Sequence, residues 1–235
     1  MDIQRFNSKD ETTAAAGEYL NALLLENKRV PILLMLSAGS ALSILEYIGP
    51  TALGEHITIS MLDERFSTDP KINNFHQLQQ TDFYTLAFAA ETSFFGTLPR
   101  PDDTQDTLAQ RWEKNLRNWR QENPKGIIIT TLGMGADGHT FGILPYPEDE
   151  AKFNRLFKND AWVRAYNAGS KSPFPERVTT TLTFLKQFDI ALAFVCGEEK
   201  RQKLDIVLAK KDKASETPAL AWHEIKNVKV FTDII

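Results

Sequence analysis

The residues of this 235-residue chain best suited to chemistry close one glycine-rich segment, GMGADGH, from Gly133 to His139. Histidine takes up and returns protons near neutrality, with an ordinary pKa of about 6.5. Asp137, two residues earlier, supplies a carboxylate able to orient the imidazole and raise its basicity. An arbitrary Asp-Gly-His is more often a turn closed by an Asx hydrogen bond. Here the segment follows the apolar run GIIITTL (126–132) directly, which places the histidine at a strand end among several glycines and favours a catalytic role. His56, His76 and His223 have no such setting. No second histidine or cysteine stands at ligand spacing, so no metal is expected.

GMGADG also satisfies the G-x-G-x-x-G pattern of dinucleotide sites, but its context does not. Pro145 and Pro147 interrupt the helix that should follow, and no acidic residue ends a second strand ~20 residues on. A nicotinamide or flavin is therefore excluded, and no cofactor is expected. What remains is a backbone that can curl closely round a ligand, with Gly135 among the binding positions.

Three further segments carry polar groups at strand or loop ends. SAGSAL (37–42) joins an apolar run to a helical one. The N–H groups near Gly39, with the Ser37 and Ser40 hydroxyls, suit a phosphate at a helix N-terminus; plain serine N-capping is the alternative. Asp63, Glu64 and Arg65 follow another apolar run. Arg65 can grip phosphate in bidentate fashion while the carboxylates bind hydroxyls or order the loop; an internal ion pair is the alternative. KSPFPER carries Lys171 and Arg177 on a loop stiffened by Pro173 and Pro175, either a cationic clamp or a solvated basic loop.

The elements that must position these groups are legible in outline. Residues 10–28 have an amphipathic helical stripe, SALSILEYIG reads as a second helix, and 105–121 and 197–211 as two more. PILLML (31–36), HITISML (56–62), GIIITTL, WVRAYNA (162–168), DIALAFVC (189–196) and NVKVF (227–231) read as strands. Runs apolar on both faces that alternate with helices predict an α/β fold with a mainly parallel sheet covered on both sides. Ligands of such sheets bind beyond the carboxyl ends of the strands, where SAGS, DERF and GMGADGH all fall.

Composition narrows the classes. A net charge of -4 offers no general attraction to nucleic acid or an anionic membrane, so local cations must hold an anionic substrate. The single cysteine, Cys196, excludes a disulfide framework and reads as a buried core thiol. MDIQRFNSKDETT has no apolar signal core and no run approaches a membrane span, which predicts a cytoplasmic protein. With no repeat or linker, one domain over 1–235 is expected.

In this order the motifs resemble the 6-phosphogluconolactonase family and, more distantly, the glucosamine-6-phosphate deaminases that share its fold. They are SAGSA, DERF with NNF (73–75), GMGADGHT, KSPFPERVT (171–179) and GEEK (197–200), spread over nearly the whole chain. The resemblance implies a three-layer α/β/α sandwich with a Rossmann-like sheet, and hydrolysis of 6-phospho-D-glucono-1,5-lactone in the oxidative pentose phosphate pathway. It implies His139 as general base with Asp137 beside it. It also implies that Ser37, Gly39, Ser40, Arg65 and Lys171 hold the sugar phosphate, with Asp63, Asn74, Gly135 and Arg177 as further substrate contacts. The implied partner is a small sugar phosphate, on a monomer or small homo-oligomer. Several positions depart from the family pattern: Ala38 for glycine, Ala41 for threonine, Phe75 for tyrosine, and Phe141-Gly142 for alanine and serine. The first two predict an altered phosphate grip. The deaminases carry a glutamate five residues after the histidine; here Leu144 stands there, which speaks against deamination.

Overall fold

The computed structural model of the chain describes residues 1–235. Its strands are β1 (Asp2–Arg5), β2 (Ile32–Leu36), β3 (Ile57–Met61), β4 (Asp63–Arg65), β5 (Ser93–Phe95), β6 (Ile127–Gly133), β7 (Val163–Asn167), β8 (Glu176–Thr180), β9 (Ile190–Val195) and β10 (Asn227–Thr232). Its α-helices are α1 (Lys9–Glu26), α2 (Asn74–Gln79), α3 (Asp82–Ala89), α4 (Gln105–Glu122), α5 (Glu150–Phe157), α6 (Leu182–Leu185) and α7 (Arg201–Ala209). Seven strands form one sheet in the order β1-β10-β9-β6-β2-β3-β5, every pair parallel.

Side chains alternate across that sheet, as strand geometry requires. In β2, Leu33 and Met35 join the core beneath α4, with Trp112, Leu116 and Trp119. Ile32, Leu34 and Leu36 point the other way, into the core under α1 with Leu20 and Leu24. These two cores on either side of the sheet make the three-layer α/β/α sandwich. All five β2 residues are buried, the pattern expected of a central parallel strand. Cys196 is buried as expected, and that burial, with Asp233 nearby, pushes its thiol up to about 11.

The helix expected at SALSILEYIG is of 3-10 type, Gly39–Tyr47. Its tighter turns bring Ile44 and Tyr47 against Gly17 of α1, where a Cβ would stand 2.5 Å from the Ile44 carbonyl oxygen. WVRAYNA supplies a strand, β7, but outside the parallel sheet. It joins β4, in DERF at an expected loop position, and β8, with its start expected to close the KSPFPER loop, in an antiparallel sheet ordered β4-β8-β7. The partial exposure of β7, with Arg164 and Asn167 open to solvent, suits an antiparallel sheet, and β-branched Val178, Thr179 and Thr180 suit a strand once Pro175 is passed.

The chain leaves β2 toward β3 on one side, while β6 lies on its other side. The strand order therefore reverses between β2 and β6, and a crevice opens above their carboxyl ends. The small sheet lies beside it, because β4 follows β3 after only Leu62.

Candidate functional site

Ser37 closes the floor of the crevice. Its N–H donates to the Thr131 hydroxyl at 3.0 Å and its hydroxyl donates to the Thr131 carbonyl at 3.0 Å. The same hydroxyl accepts from the N–H of Gly133 at 3.1 Å. The Ser37 side chain is thus committed to joining β2 to β6, although it still lines the cavity above. Beyond it Ala38, not a serine, occupies the N-cap of the 3-10 helix, with no side-chain cap bond. Gly39 adopts φ +68 with no neighbour where a Cβ would project, so this turn leaves its approach open.

The glycine loop after β6 is folded back on itself. The Gly135 N–H donates to the His139 carbonyl at 3.0 Å, and the Gly138 N–H to the Gly135 carbonyl at 2.9 Å. The His139 N–H donates to Asp137 Oδ1 at 3.1 Å, closing an Asx turn. The same oxygen lies 2.6 Å from His139 Nδ1. The structural turn and the oriented histidine are one arrangement. An ionised Asp137 accepts from Nδ1–H, which leaves Nε2 with the free lone pair. Burial alone would raise the Asp137 pKa; the hydrogen bond and charge of His139 outweigh it and hold the carboxyl below its ordinary 3.8. A Cβ on Gly135 would stand 2.2 Å from the imidazole, so only glycine leaves the ring this place. Outside the loop, Thr140 donates to the Gly133 carbonyl at 2.8 Å and accepts from the Trp222 indole at 3.1 Å.

Opposite the histidine stands a buried polar cluster from the small sheet. Arg65 and Arg177 are direct cross-strand partners of β4 and β8. Arg177 Nη2 donates to Asp63 Oδ2 at 2.8 Å, both side chains being almost wholly buried. Asn74 Nδ2 donates to the carbonyl of Asp63 at 3.0 Å. Arg65 lies over the Phe174 ring at 5.0 Å. Burial first, and then the facing Arg177, lower the Arg65 pKa against the pull of Asp63 and Glu64. Each arginine also buries an Nε–H that has no partner. Gly142 covers this cluster at φ +74, where a Cβ would meet the Asp63 side chain at 2.7 Å. That accounts for glycine at a position where the resembling family has serine. Tyr166 and Thr179 hold the same turn by donating to the carbonyls of Gly142 and Phe141.

One cavity of about 230 Å³ is lined by Ser37, Gly39, Ser40, Asp63, Arg65, Asn74, Gly135, His139 and Arg177 together. Asp137 stands behind His139. Lys171 is not brought in: its ammonium pairs with Glu148 at 2.7 Å and lies over the Tyr146 ring. The lining lysine is instead Lys200, at the end of the 3-10 turn after β9. The rule that strand ends carry ligands points to GEEK, but no spacing within that segment singles out its lysine. A larger cavity of about 560 Å³ between the 3-10 helix and α3 has only Glu46 and Asp82 as charged groups. Those repel an anion, whereas the smaller cavity sets three cations and a histidine against one carboxylate. No group of three His, Cys, Asp or Glu side chains is placed to hold a metal ion, and no helix is long and apolar enough to cross a membrane.

The family described as glucosamine-6-phosphate isomerases/6-phosphogluconolactonase matches residues 7–231. The chain is 29% identical over 175 residues to the 6-phosphogluconolactonase of Xylella fastidiosa, covering 74% of this chain and 69% of that one. It is 26% identical over 219 residues to the Homo sapiens 6-phosphogluconolactonase, covering 88% and 81%. The crystal structure of a 6-phosphogluconolactonase from Shewanella baltica shares the fold with TM-score 0.80 at 20% identity, covering 99% of this chain and 97% of that one.

Proposed function

We propose that this chain, which belongs to the glucosamine-6-phosphate isomerase/6-phosphogluconolactonase family, hydrolyses 6-phospho-D-glucono-1,5-lactone to 6-phosphogluconate. The observation that carries the reading is one cavity holding an aspartate-oriented histidine on one wall and two facing arginines on the other. Two arginines side by side on the cavity wall, of which only Arg177 is paired with a carboxylate, call for an anion. The substrate phosphate supplies it, helped by Lys200 and the open backbone turn at Gly39 and Ser40. Phosphate is a remote handle, and its binding energy is spent on holding the lactone carbonyl against the base.

His139 Nε2 takes a proton from water as the oxygen attacks the C1 carbonyl. Asp137 steadies the imidazolium so formed. The tetrahedral oxyanion then collapses, the bond from C1 to the ring oxygen breaks, and that oxygen leaves as a hydroxyl with the proton from His139. His139 is left as it began, the new carboxyl group gives its proton to solvent, and no redox partner is required. Deamination is not favoured, because Leu144 is buried in the core where the deaminases place an acid.

Coupled lactonase kinetics with spontaneous opening subtracted test this reading. His139→Ala should lose about 10²–10⁴-fold in kcat. Wild-type rates in that variant would sink the mechanism. Ammonia release from glucosamine 6-phosphate would point to the deaminase, and binding of 6-phosphogluconate without turnover to a non-catalytic sugar-phosphate-binding protein on the same fold.

A further inference from the structure

Glu64 has no part in that chemistry, yet it is a fully buried carboxylate next to Asp63. Its Oε1 accepts from the backbone N–H of Arg65 at 2.8 Å and of Asn74 at 2.6 Å. Its Oε2 accepts from the N–H of Phe75 at 3.0 Å and the hydroxyl of Thr97 at 2.8 Å. The Arg65 guanidinium does not pair with it and lies over Phe174 instead. Burial pushes the Glu64 pKa up to about 7 against the pull of these four donors. A buried carboxylate is costly to keep, and its contacts show what it secures.

They join the start of α2, the strand β4 and the segment after β5. Asn73, at the N-cap of α2, makes no cap bond; its amide donates to the carbonyls of Arg65 at 2.8 Å and Ser67 at 3.2 Å. Glu64 satisfies the first N–H groups of α2 in its stead. With its backbone held there, Asn74 turns its side-chain amide onto the carbonyl of Asp63 at 3.0 Å and onto Asp63 Oδ2 at 3.3 Å. That same oxygen receives Arg177. The contacts run unbroken from Glu64 through Asn74 and Asp63 to a cation of the cavity.

We propose that Glu64 is a positioning residue: its two oxygens fix Asn74, and through Asn74 the Asp63–Arg177 pair, in the orientation that receives the sugar phosphate. The activity arm of the test rests on the lactonase reading. Glu64→Gln keeps the shape but turns an N–H₂ toward two donors, of which only a hydroxyl can reverse its role. Wild type, Glu64→Gln, Asn74→Ala and the double variant are compared for kcat, KM and calorimetric binding of 6-phosphogluconate. Glu64→Gln should raise KM and the product Kd about tenfold, with a smaller change in kcat. Added to Asn74→Ala it should raise them no further. Wild-type KM and Kd in Glu64→Gln, or losses that multiply in the double variant, overturn the proposal. Thr97→Val removes one donor and leaves the backbone contacts, which keeps the test readable if Glu64→Gln does not fold. It should raise KM about threefold, and an unchanged KM overturns the proposal. Amide exchange needs no substrate: the Asn74 and Phe75 N–H groups should exchange about tenfold faster in Glu64→Gln. Unchanged exchange overturns the anchoring role whatever the substrate. Faster exchange in Glu64→Gln, beside a wild type that neither binds nor hydrolyses the sugar phosphate, sinks the lactonase reading instead.

Discussion

The two walls of the cavity each hold an acid beside a base, and they are built in opposite ways. Asp137 and His139 are two residues apart, with side chains 51% and 39% exposed. Asp63 and Arg177 are 114 residues apart, with side chains each 9% exposed. An exposed pair adds little to stability because water screens it, so its geometry is free to serve a moving proton. A buried pair must keep its partner, since either charge alone would be stranded without solvent. In the proposed mechanism the exposed wall is the one that passes the proton. The buried wall is suited to stay charged and still.

The sharpest way to break this contrast is Gly135→Ala. Its Cβ would stand 2.2 Å from the imidazole, so the ring must leave its place. A kcat loss of about 10²–10⁴-fold is expected, approaching that of His139→Ala, in a protein that still melts cooperatively. Retained activity would mean that the ring position does not matter.

Asp63→Ala probes the other wall and should act on stability first. It strands Arg177, and denaturant unfolding should show a loss of about 3–5 kcal/mol. A loss below about 1 kcal/mol would place the pair with ordinary surface bridges.

Asp137→Asn should lower kcat about tenfold while leaving neutral-pH stability nearly unchanged, because the side chain is half exposed. The sign of its pH effect follows from the lowered pKa. Any stability from the Asp137–His139 contact is present above the ordinary 3.8 and is lost as pH falls through the depressed folded-state value. Acid unfolding of the variant should lack that component, and an identical acid limb in both proteins would refute it.

Lys171→Ala should do least. The lysine pairs with an exposed Glu148 away from the cavity, so stability should change by less than about 1 kcal/mol and KM should hold. A large rise in KM would bring Lys171 back among the phosphate ligands.

Much of the scaffold was legible because it is written locally. The apolar runs that became β2, β3, β6, β9 and β10 need no knowledge of their partners, and neither does the amphipathic stripe of α1. The Asp137–His139 pair was legible for the same reason, since an Asx turn and its histidine lie within one short segment. The small sheet was not, because β4 and β8 are short and polar and become strands only by pairing, β8 with both β4 and β7.

The sequence by itself determined the parallel sheet, the glycine loop at the end of β6 and the pairing of Asp137 with His139. Each follows from periodicity, glycine tolerance or contacts within a few residues. Only the tertiary structure decided which groups face one another. It committed the Ser37 hydroxyl to joining two strands, sent Lys171 to Glu148, brought Lys200 to the cavity, and set Arg65 against Arg177 with Glu64 beneath. The physical reason is that a long or charged side chain finds its partner through space, and the register of distant strands supplies that partner.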